Sequence, residues 1–145
     1  MMMFLCCFTY RSEIKSVRNM KVFQDTHVLL WAAAGKLSPL AAKYVEDESN
    51  ELYFSSVSIW EIVIKRHLNR QDFDIEPLKF YQGLCRAGYV ELSATAKHAL
   101  FVERLPALHK DPFDRLLIAQ AISEELIFLT ADDNLAMYAG PIVHV

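Results

Sequence analysis

Glycine and cysteine are both scarce in this sequence, and each scarcity excludes a class of function. The 145 residues include only four glycines, which stand singly at Gly35, Gly83, Gly88 and Gly140. They cannot form a phosphate-binding P-loop or a glycine-rich dinucleotide loop. The three cysteines cannot form a paired disulfide framework, and they lack the spacing of a zinc site. This cysteine usage is typical of a reducing compartment, so we expect a cytoplasmic protein.

Long apolar runs are also missing, although 53% of the residues are hydrophobic. No run reaches the roughly 18 apolar residues that a membrane-spanning helix needs, so we expect no association with a membrane. A Gly-x-Ser-x-Gly nucleophile elbow is absent too, which argues against acyl transfer. The length and composition instead fit one domain with a sizeable buried core.

The first nineteen residues differ in pattern from the rest. They begin MMMFLCCF and then turn polar without a period, and they lack the basic start and the cleavage site of a signal peptide. Met20 directly precedes a clear strand pattern. We therefore predict that residues 1–19 are a leader, either disordered or a start-site artefact rather than a functional anchor, and that residues 20–145 are the domain. The leader carries a net charge of +2, which leaves −5 for the remainder of a chain whose total is −3.

Short apolar runs alternate with helical patterns along the predicted domain. This alternation is typical of βαβ units, so it predicts an α/β fold with a central, mostly parallel twisted sheet flanked by helices. Strands are predicted at 21–24, 51–55, 89–92, 126–130 and 141–145. Helices are predicted at about 26–34, from Ser38-Pro39 onward, at 57–68, 76–87, 93–104 with Ser93 as its cap, 111–124 with Asp111 as its cap, and shortly before the last strand.

Four carboxylates fall where the ends of parallel strands meet. Asp25 directly follows the first strand, and Asp132 follows the strand at 126–130 by one residue. Glu61 lies in the first turns of the helix after the second strand, and Asp114 lies in the first turn of the helix that Asp111 opens. Ligands of open parallel sheets bind at this edge, so the four carboxylates are expected to converge on one crevice.

Each of these carboxylates also has a purely local explanation. Asp25 is a suitable helix cap, Glu61 fits a capping box with Ser58, Asp114 is a favourable first-turn charge, and Asp132 suits a turn. Several unpaired carboxylates in one crevice would repel each other without a cation. Their joint placement therefore favours a site for Mg²⁺ or Mn²⁺, which prefer oxygen ligands.

Basic residues near the predicted site either guide a nucleic acid strand or form a solvated helix face. An acidic domain that handles nucleic acid needs a metal ion or a local basic patch to offset phosphate repulsion. Arg115, next to Asp114, is an alternative partner that holds a carboxylate in place. The candidates are Lys65, Arg66, His67, Arg70, Lys110 and Arg115.

Three further side chains are expected to pack rather than to do chemistry. Trp31 and Trp60 occupy apolar helical positions, so core or partner packing is favoured over base stacking. His27 is interpreted as a packing or hydrogen-bonding residue, because imidazole is not a favoured magnesium ligand.

Four sequence segments together resemble those of PIN-domain toxins of the VapBC type. The resemblance covers residues 20–145 with the segments in the right order, and it is the set rather than any one segment that is specific. The departures are the unmatched leader and Asp133, which stands where such proteins often have proline. The segments are FQDTHVLLW at 23–31, SSVSIWEI at 55–62, LPALHKDPFDRLLIAQA at 105–121 and LTAD at 129–132.

The resemblance implies a PIN-like three-layer fold and an acidic metal site. Asp25 and Asp114 would be the most direct metal ligands, while Glu61 and Asp132 would hold ligands, a second metal or water. Two hydroxyl residues are implied as helpers beside the site, Thr130 and Thr26.

The implied activity is Mg²⁺- or Mn²⁺-dependent hydrolysis of RNA by metal-activated water, leaving 5′-phosphate and 3′-hydroxyl ends. The implied substrates are structured RNAs such as transfer or ribosomal RNA. The implied partners are a cognate antitoxin in the active-site groove and a second copy of the chain. The main alternative is a catalytically inactive PIN-like module that binds RNA or protein. A phosphatase or receiver domain is a further alternative, but Asp25-Thr26-His27 lacks the second aspartate that these proteins need.

Overall fold

A computed structural model describes residues 19–68 and 74–145 of the chain. The predicted leader lies outside the described residues except for Asn19, and so does Arg70 of the basic candidates. Across the two described ranges, no helix combines the length and the apolarity that crossing a membrane requires. Cys85 is the one cysteine within these ranges, and it is a free, exposed thiol.

Strands and helices alternate along the described residues in the order that the sequence predicts. The five strands are β1 (Lys21–Gln24), β2 (Glu51–Ser55), β3 (Val90–Leu92), β4 (Ile127–Thr130) and β5 (Ile142–His144). The helices are α1 (Thr26–Ala33), α2 (Pro39–Val45), α3 (Ser56–His67), α4 (Pro77–Arg86), α5 (Ala96–Phe101) with a 3₁₀ turn at Val102–Arg104, α6 (Pro112–Ser123) and α7 (Asp133–Ala136).

The five strands form one sheet in the order β3-β2-β1-β4-β5, and every pairing within the described residues is parallel. Val22 of β1 lies opposite Leu52 of β2 on one side and Ile127 of β4 on the other. The chain moves outward from β1 through β2 to β3, and then returns to the other side of β1 for β4 and β5. Strand order therefore reverses between β1 and β4, at the centre of the sheet. The predicted α/β fold with a parallel sheet flanked by helices is confirmed.

Most helix ends follow from caps that the sequence displays. Ser38 accepts a hydrogen bond from the Ala41 amide and Asp111 accepts one from the Phe113 amide, each just before a proline at the first helical position. Gly35 and Gly88 have positive φ angles of 68° and 84° just beyond α1 and α4, a conformation that glycine adopts without steric cost.

Two predictions of local structure were wrong in detail. Ser93 does not cap α5, because the helix begins later, at Ala96, and Thr95 is its cap. The Thr95 hydroxyl accepts a hydrogen bond from the His98 amide, and the His98 ring accepts one from the Thr95 amide, which forms a reciprocal capping box. Asp132, for which a turn was one explanation, is the cap of α7, and Asp133 is the first residue of that helix.

Alternating side chains of the strands fill a core on each face of the sheet. Phe23 and Phe128 contact each other on the face covered by α6, with ring centroids 5.4 Å apart. Val22 and Leu129 point to the other face, where they pack with Val28 of α1. Full burial of one such side chain stabilises the fold by roughly 1.5–3 kcal/mol. The central strands are therefore anchored on both faces, which holds their carboxyl ends in a defined position.

Candidate active site

The candidate site lies at the carboxyl ends of β1 and β4, the two strands between which the strand order reverses. Gln24 of β1 pairs with Leu129 of β4, and the amide of Asp25 donates a hydrogen bond to the Leu129 carbonyl over 3.0 Å. Asp25 and Thr130 therefore lie side by side at the carboxyl ends of β1 and β4. Open parallel sheets bind their ligands at this place, as expected from the sequence.

Asp25 is buried, with 2% of its surface exposed, and both carboxylate oxygens accept hydrogen bonds. Oδ1 accepts from the Val28 amide at 2.8 Å, which makes Asp25 the N-cap of α1. Oδ2 accepts from the Thr130 hydroxyl at 2.6 Å and from the Ala131 amide at 3.3 Å. Burial raises the pKa of Asp25, while the hydrogen bonds from Thr130 and Val28 oppose the rise. The capping role that the sequence left open is present, and it engages Oδ1 alone.

Glu61 is a second buried carboxylate, with 8% of its surface exposed. The Thr26 hydroxyl donates a hydrogen bond to its Oε2 at 2.6 Å, and Lys65 Nζ lies 2.9 Å from its Oε1. Lys65 follows Glu61 by four residues, one helical turn along α3, so the two charges form an i,i+4 ion pair. Glu61 is thus held from two sides, next to the residue that follows Asp25.

The capping box predicted for Glu61 was wrong. Helix α3 begins at Ser56, and its cap is Ser55, whose hydroxyl accepts a hydrogen bond from the Val57 amide at 3.0 Å. Ser58 lies inside the helix, with its Oγ 3.0 Å from the hydroxyl oxygen of Thr26. Glu61 therefore has no part in starting the helix, and its carboxylate is directed toward the site.

Asp114 lies in the first turn of α6 and is affected by the charges of the other carboxylates. Burial raises its pKa from 3.8 to about 7, and the charges of Asp111, Glu61 and Asp25 add to the rise, whereas His109 opposes it. Asp111 is close because it caps α6 and also receives a hydrogen bond from the Asp114 amide at 3.4 Å. Burial is the largest cause of this raised pKa, and the smaller contributions of Glu61 and Asp25 come from carboxylates in distant parts of the chain.

Asp132 is joined to Asp114 through the ring of His109. Nε2 of His109 lies 3.2 Å from Oδ2 of Asp114 and 3.2 Å from Oδ2 of Asp132. Asp132 also caps α7 by accepting hydrogen bonds from the Asn134 amide at 2.7 Å and the Leu135 amide at 3.4 Å. Burial would raise the pKa of Asp132, but the hydrogen bond from His109 and those two amides outweigh it and lower the pKa.

His109 is the residue of this site to which sequence reasoning gave no role. Its Nδ1 accepts a hydrogen bond from the Asp111 amide at 3.0 Å, and its own amide donates to the Tyr138 hydroxyl at 3.1 Å. The sequence did contain one signal for such a role, because His109 stands two residues before the predicted cap Asp111 and close to the acidic residues. Its contact with Asp132 spans 23 residues and depends on the tertiary fold.

Arg115 does not hold a carboxylate in the described part of the structure. Its Nη2 donates a hydrogen bond to the Val102 carbonyl at 3.4 Å, and no ion pair joins it to Asp114 among the described residues. The other basic candidates differ in accessibility. Lys65 is partly buried against Glu61, whereas Arg66, His67 and Lys110 are exposed.

The two tryptophans are more accessible than core residues. Trp60 is 58% exposed and packs edge-on against Phe113, with ring centroids 5.0 Å apart, while Trp31 is 37% exposed. Core packing was therefore the wrong expectation for Trp60, and partner packing stays a prediction. His27 is exposed, with its ring 6.4 Å from that of Trp31, in agreement with its interpretation as a packing residue.

The donor set at this edge suits a hard divalent cation. The four predicted carboxylates lie at the same edge, where the charges of Asp25 and Glu61 both act on Asp114 and His109 bridges Asp114 and Asp132. Ligand atoms of His109, Asp114 and Asp132 lie within 4.8 Å of one another. Carboxylate oxygens are the ligands that Mg²⁺ and Mn²⁺ prefer, and such an ion would offset the repulsion between them.

Comparisons with known proteins agree with this architecture. The sequence matches the PIN domain family over residues 22–141, whereas a search of curated proteins finds no match. The fold is similar to VapBC2 from Rickettsia felis bound to a DNA fragment from its promoter, with a TM-score of 0.64 and 12% identity over 86% of this chain and 98% of that chain. It is also similar to DNA-bound VapBC from Salmonella typhimurium, with a TM-score of 0.61 and 14% identity over the same shares of the two chains.

At these identities the structural likeness shows a shared fold. The family match carries more weight, because it spans most of the chain and includes all four clustered carboxylates. The chain therefore belongs to the PIN domain family, whose VapBC-type toxins its sequence resembles.

Proposed function

We propose that this chain is a metal-dependent endoribonuclease and the toxin of a toxin–antitoxin pair. The observation that carries the proposal is the environment of Asp114. Burial and the charges of Asp111, Glu61 and Asp25 raise its pKa to about 7. Gathering like charges at one buried edge costs stability, so the cluster is expected to serve a function. In a PIN domain, at the point where strand order reverses, that function is best explained as hydrolysis of a nucleic acid.

Asp25 and Asp114 are the proposed direct ligands of Mg²⁺ or Mn²⁺, and Glu61 and Asp132 complete the acidic set. Asp25 uses Oδ1 to cap α1, which leaves Oδ2 as the oxygen that faces Thr130 and the site. When bound, such an ion would activate water as the nucleophile and offset the charge that develops on the scissile phosphate.

The neighbouring side chains hold the carboxylates in position. The hydroxyls of Thr130 and Thr26 are both buried, and each donates a 2.6 Å hydrogen bond, to Asp25 and to Glu61 respectively. Lys65 places a positive charge 2.9 Å from Glu61. Hydrogen-bonded support of this kind restricts ligand rotamers and tunes their affinity for an ion.

The proposed substrate is structured cellular RNA, such as transfer or ribosomal RNA, cut to leave 5′-phosphate and 3′-hydroxyl ends. Residues 20–145 carry a net charge of −5, so an RNA strand needs local positive charge to approach. Lys110 is exposed and adjacent to Asp111, which caps α6 beside the site. Arg66 is exposed on α3 beyond Glu61. We propose that both contact phosphates.

An antitoxin is the proposed protein partner. Two solved structures with this fold are VapBC complexes. Helix α3 also displays apolar surface that a partner would cover. Trp60 is 58% exposed and Val63 is 44% exposed. A groove of about 510 Å³ opens beside Val63 and is lined also by Arg66, His67 and Pro77. The resemblance further supports a homodimer and a cytoplasmic location.

Cleavage of total cellular RNA by the purified chain tests the proposal. The reaction is run with Mn²⁺ or Mg²⁺, with EDTA, and with an Asp25→Asn variant. Glu48→Gln is the matched control, because Glu48 is exposed just before β2, at the opposite edge of the sheet. We expect cuts with 5′-phosphate ends that need the ion, vanish in Asp25→Asn and persist in Glu48→Gln.

A folded chain that binds neither ion and cuts no RNA would contradict the proposal. The catalytically inactive binding module would then become the better interpretation. Cleavage that persists in EDTA would instead reject metal dependence while keeping the nuclease.

A further inference from the structure

We propose that His109 acts as a hydrogen-bond donor that positions Asp114 and Asp132, and that it is not a metal ligand beside them. The donor role does not depend on the proposed nuclease function. Its consequence for the choice of metal does rest on that function. The ring is well placed for either role, since Nε2 lies 3.2 Å from an oxygen of each carboxylate. Two ligands of an octahedral ion, each about 2.1 Å from it, are also about 3 Å apart. The separation therefore cannot distinguish a hydrogen bond from a shared ion.

The other ring nitrogen makes the distinction. Nδ1 of His109 lies 3.0 Å from the amide nitrogen of Asp111, and an amide can only donate. Nδ1 must therefore offer its lone pair, which places the proton of the neutral ring on Nε2. A protonated Nε2 donates to carboxylates, and it has no lone pair for a metal ion.

Metal-binding histidines show the reverse arrangement. Their second ring nitrogen carries a proton and donates it to a carboxylate, a carbonyl or water. For His109 to bind an ion through Nε2, its proton would have to move to Nδ1, directly facing the amide hydrogen of Asp111. Asp111 is the cap of α6, and its side chain accepts from the amides of Phe113 and Asp114. Relieving the clash would therefore disturb the start of the helix that carries Asp114.

The backbone of His109 is held as well. Its amide donates to the hydroxyl of Tyr138, a residue that is 4% exposed and part of the core covered by α6. The residue is therefore held at its backbone amide and at Nδ1 of its ring. Nε2 remains free to donate to Asp114 and Asp132. The consequence is an all-oxygen centre, which favours Mg²⁺ and Mn²⁺ over ions that prefer nitrogen ligands, such as Zn²⁺.

Nitrogen NMR of the full chain, labelled with ¹⁵N in its histidine rings, shows which ring nitrogen of each histidine carries the proton. The measurement needs no activity assay. We expect His109 to carry its proton on Nε2, both without metal and with saturating Mg²⁺. His98 is an internal reference, because its Nδ1 accepts from the Thr95 amide and its Nε2 faces Glu124, away from the site. A proton on Nδ1 of His109, or loss of the Nε2 proton when Mg²⁺ binds, would overturn the proposal.

Two variants of His109 are then compared, one that keeps a hydrogen-bond donor near the carboxylates and one that lacks it. His109→Gln can present an amide N–H near the position of Nε2, whereas His109→Asn can accept from the Asp111 amide but is too short to reach the carboxylates. We expect Asn to weaken Mn²⁺ binding about ten- to hundredfold and Gln to stay close to the native affinity. His98→Gln is the control for loss of a buried histidine, with unchanged Mn²⁺ affinity.

Equal affinities in His109→Asn and the native chain would overturn the positioning role. Direct ¹⁴N coupling to bound Mn²⁺ in pulsed EPR of the native chain would show that His109 is a ligand after all. If the native chain binds no Mn²⁺, the proposed function fails, whereas the NMR result still decides whether His109 is a donor.

Discussion

Thr130 donates a hydrogen bond from its hydroxyl to Oδ2 of Asp25 over 2.6 Å, across 105 residues of sequence. The same hydroxyl oxygen accepts a hydrogen bond from the Asp132 amide at 3.0 Å. A single buried threonine thus connects the carboxylate after β1 with the cap of α7 after β4. One uncharged side chain therefore fixes the positions of both sides of the candidate site relative to each other.

Thr130→Val is expected to lower activity and stability together. Valine has nearly the same shape but removes the donor to Asp25 and the acceptor for the Asp132 amide, and leaving buried polar groups unsatisfied costs about 1–3 kcal/mol each. Chemical unfolding gives the stability change, and RNA cleavage gives the activity. Thr130→Ser keeps the hydroxyl and should restore most of both. Equal activity in Val and Ser variants would show that the hydroxyl is dispensable.

Asp25→Asn and Asp114→Asn should each reduce metal-dependent cleavage by about a hundredfold or more, the size typical of losing one electrostatic stabiliser of a transition state. The fold should survive, because asparagine also caps helices well at position 25 and because Asp114→Asn removes a repelled charge. Circular dichroism checks the fold and a cleavage time course checks the activity. Near-native cleavage by both variants would exclude this edge of the sheet as the active site.

The metal-free chain should lose stability relative to its Asp114→Asn variant as the pH rises. The pKa of Asp114 is raised from 3.8 to about 7, so between these values the folded chain holds a proton that the unfolded chain has released. The stability from this protonated carboxyl is fully present below pH 3.8 and is lost as the pH rises through about 7. Thermal unfolding in EDTA from pH 5 to pH 8 measures the difference. A difference that does not change with pH would contradict the raised pKa.

Mn²⁺ affinity should show the opposite trend with pH. An ion that binds through Asp114 must displace its proton, so affinity should fall by about tenfold for each pH unit below the pKa of about 7 and level off above it. Calorimetry in two buffers of different ionisation enthalpy measures both the affinity and the proton released. Binding that is independent of pH from 5 to 8 would place the ion away from Asp114.

The order of elements and the placement of Asp25 and Asp132 after β1 and β4 were predictable because both depend on local chemistry. Proline after a capping side chain identifies the starts of α2 and α6, and aspartate after an apolar run identifies the ends of β1 and β4. The parallel sheet then follows from alternating strands and helices, and it brings the strand ends to one edge.

The details that were missed depend on packing between distant segments. Ser55 rather than Ser58 caps α3 because the strand ends one residue before the helix begins, and both serines are plausible caps by type. His109 reaches Asp132 only because the segment before α6 folds against α7, where Tyr138 receives its amide. A local pattern cannot display such a contact. The strand order, with β4 beside β1, is likewise a property of the whole domain.

Val63→Glu tests the proposed antitoxin surface on α3. Val63 is 44% exposed and borders the groove that Pro77 of α4 also lines, so a buried glutamate there should weaken antitoxin binding by about tenfold or more. RNA cleavage by the free chain should fall by less than antitoxin binding, because Val63 contacts none of the site carboxylates among the described residues, although it lies one turn before Arg66, a proposed phosphate contact. Coexpression with the antitoxin should then fail to restore growth. Leu100→Glu is the matched control, since Leu100 is 71% exposed on α5, which packs against α6 rather than α4. Full rescue of Val63→Glu, or equal loss of rescue in both variants, would place the antitoxin elsewhere.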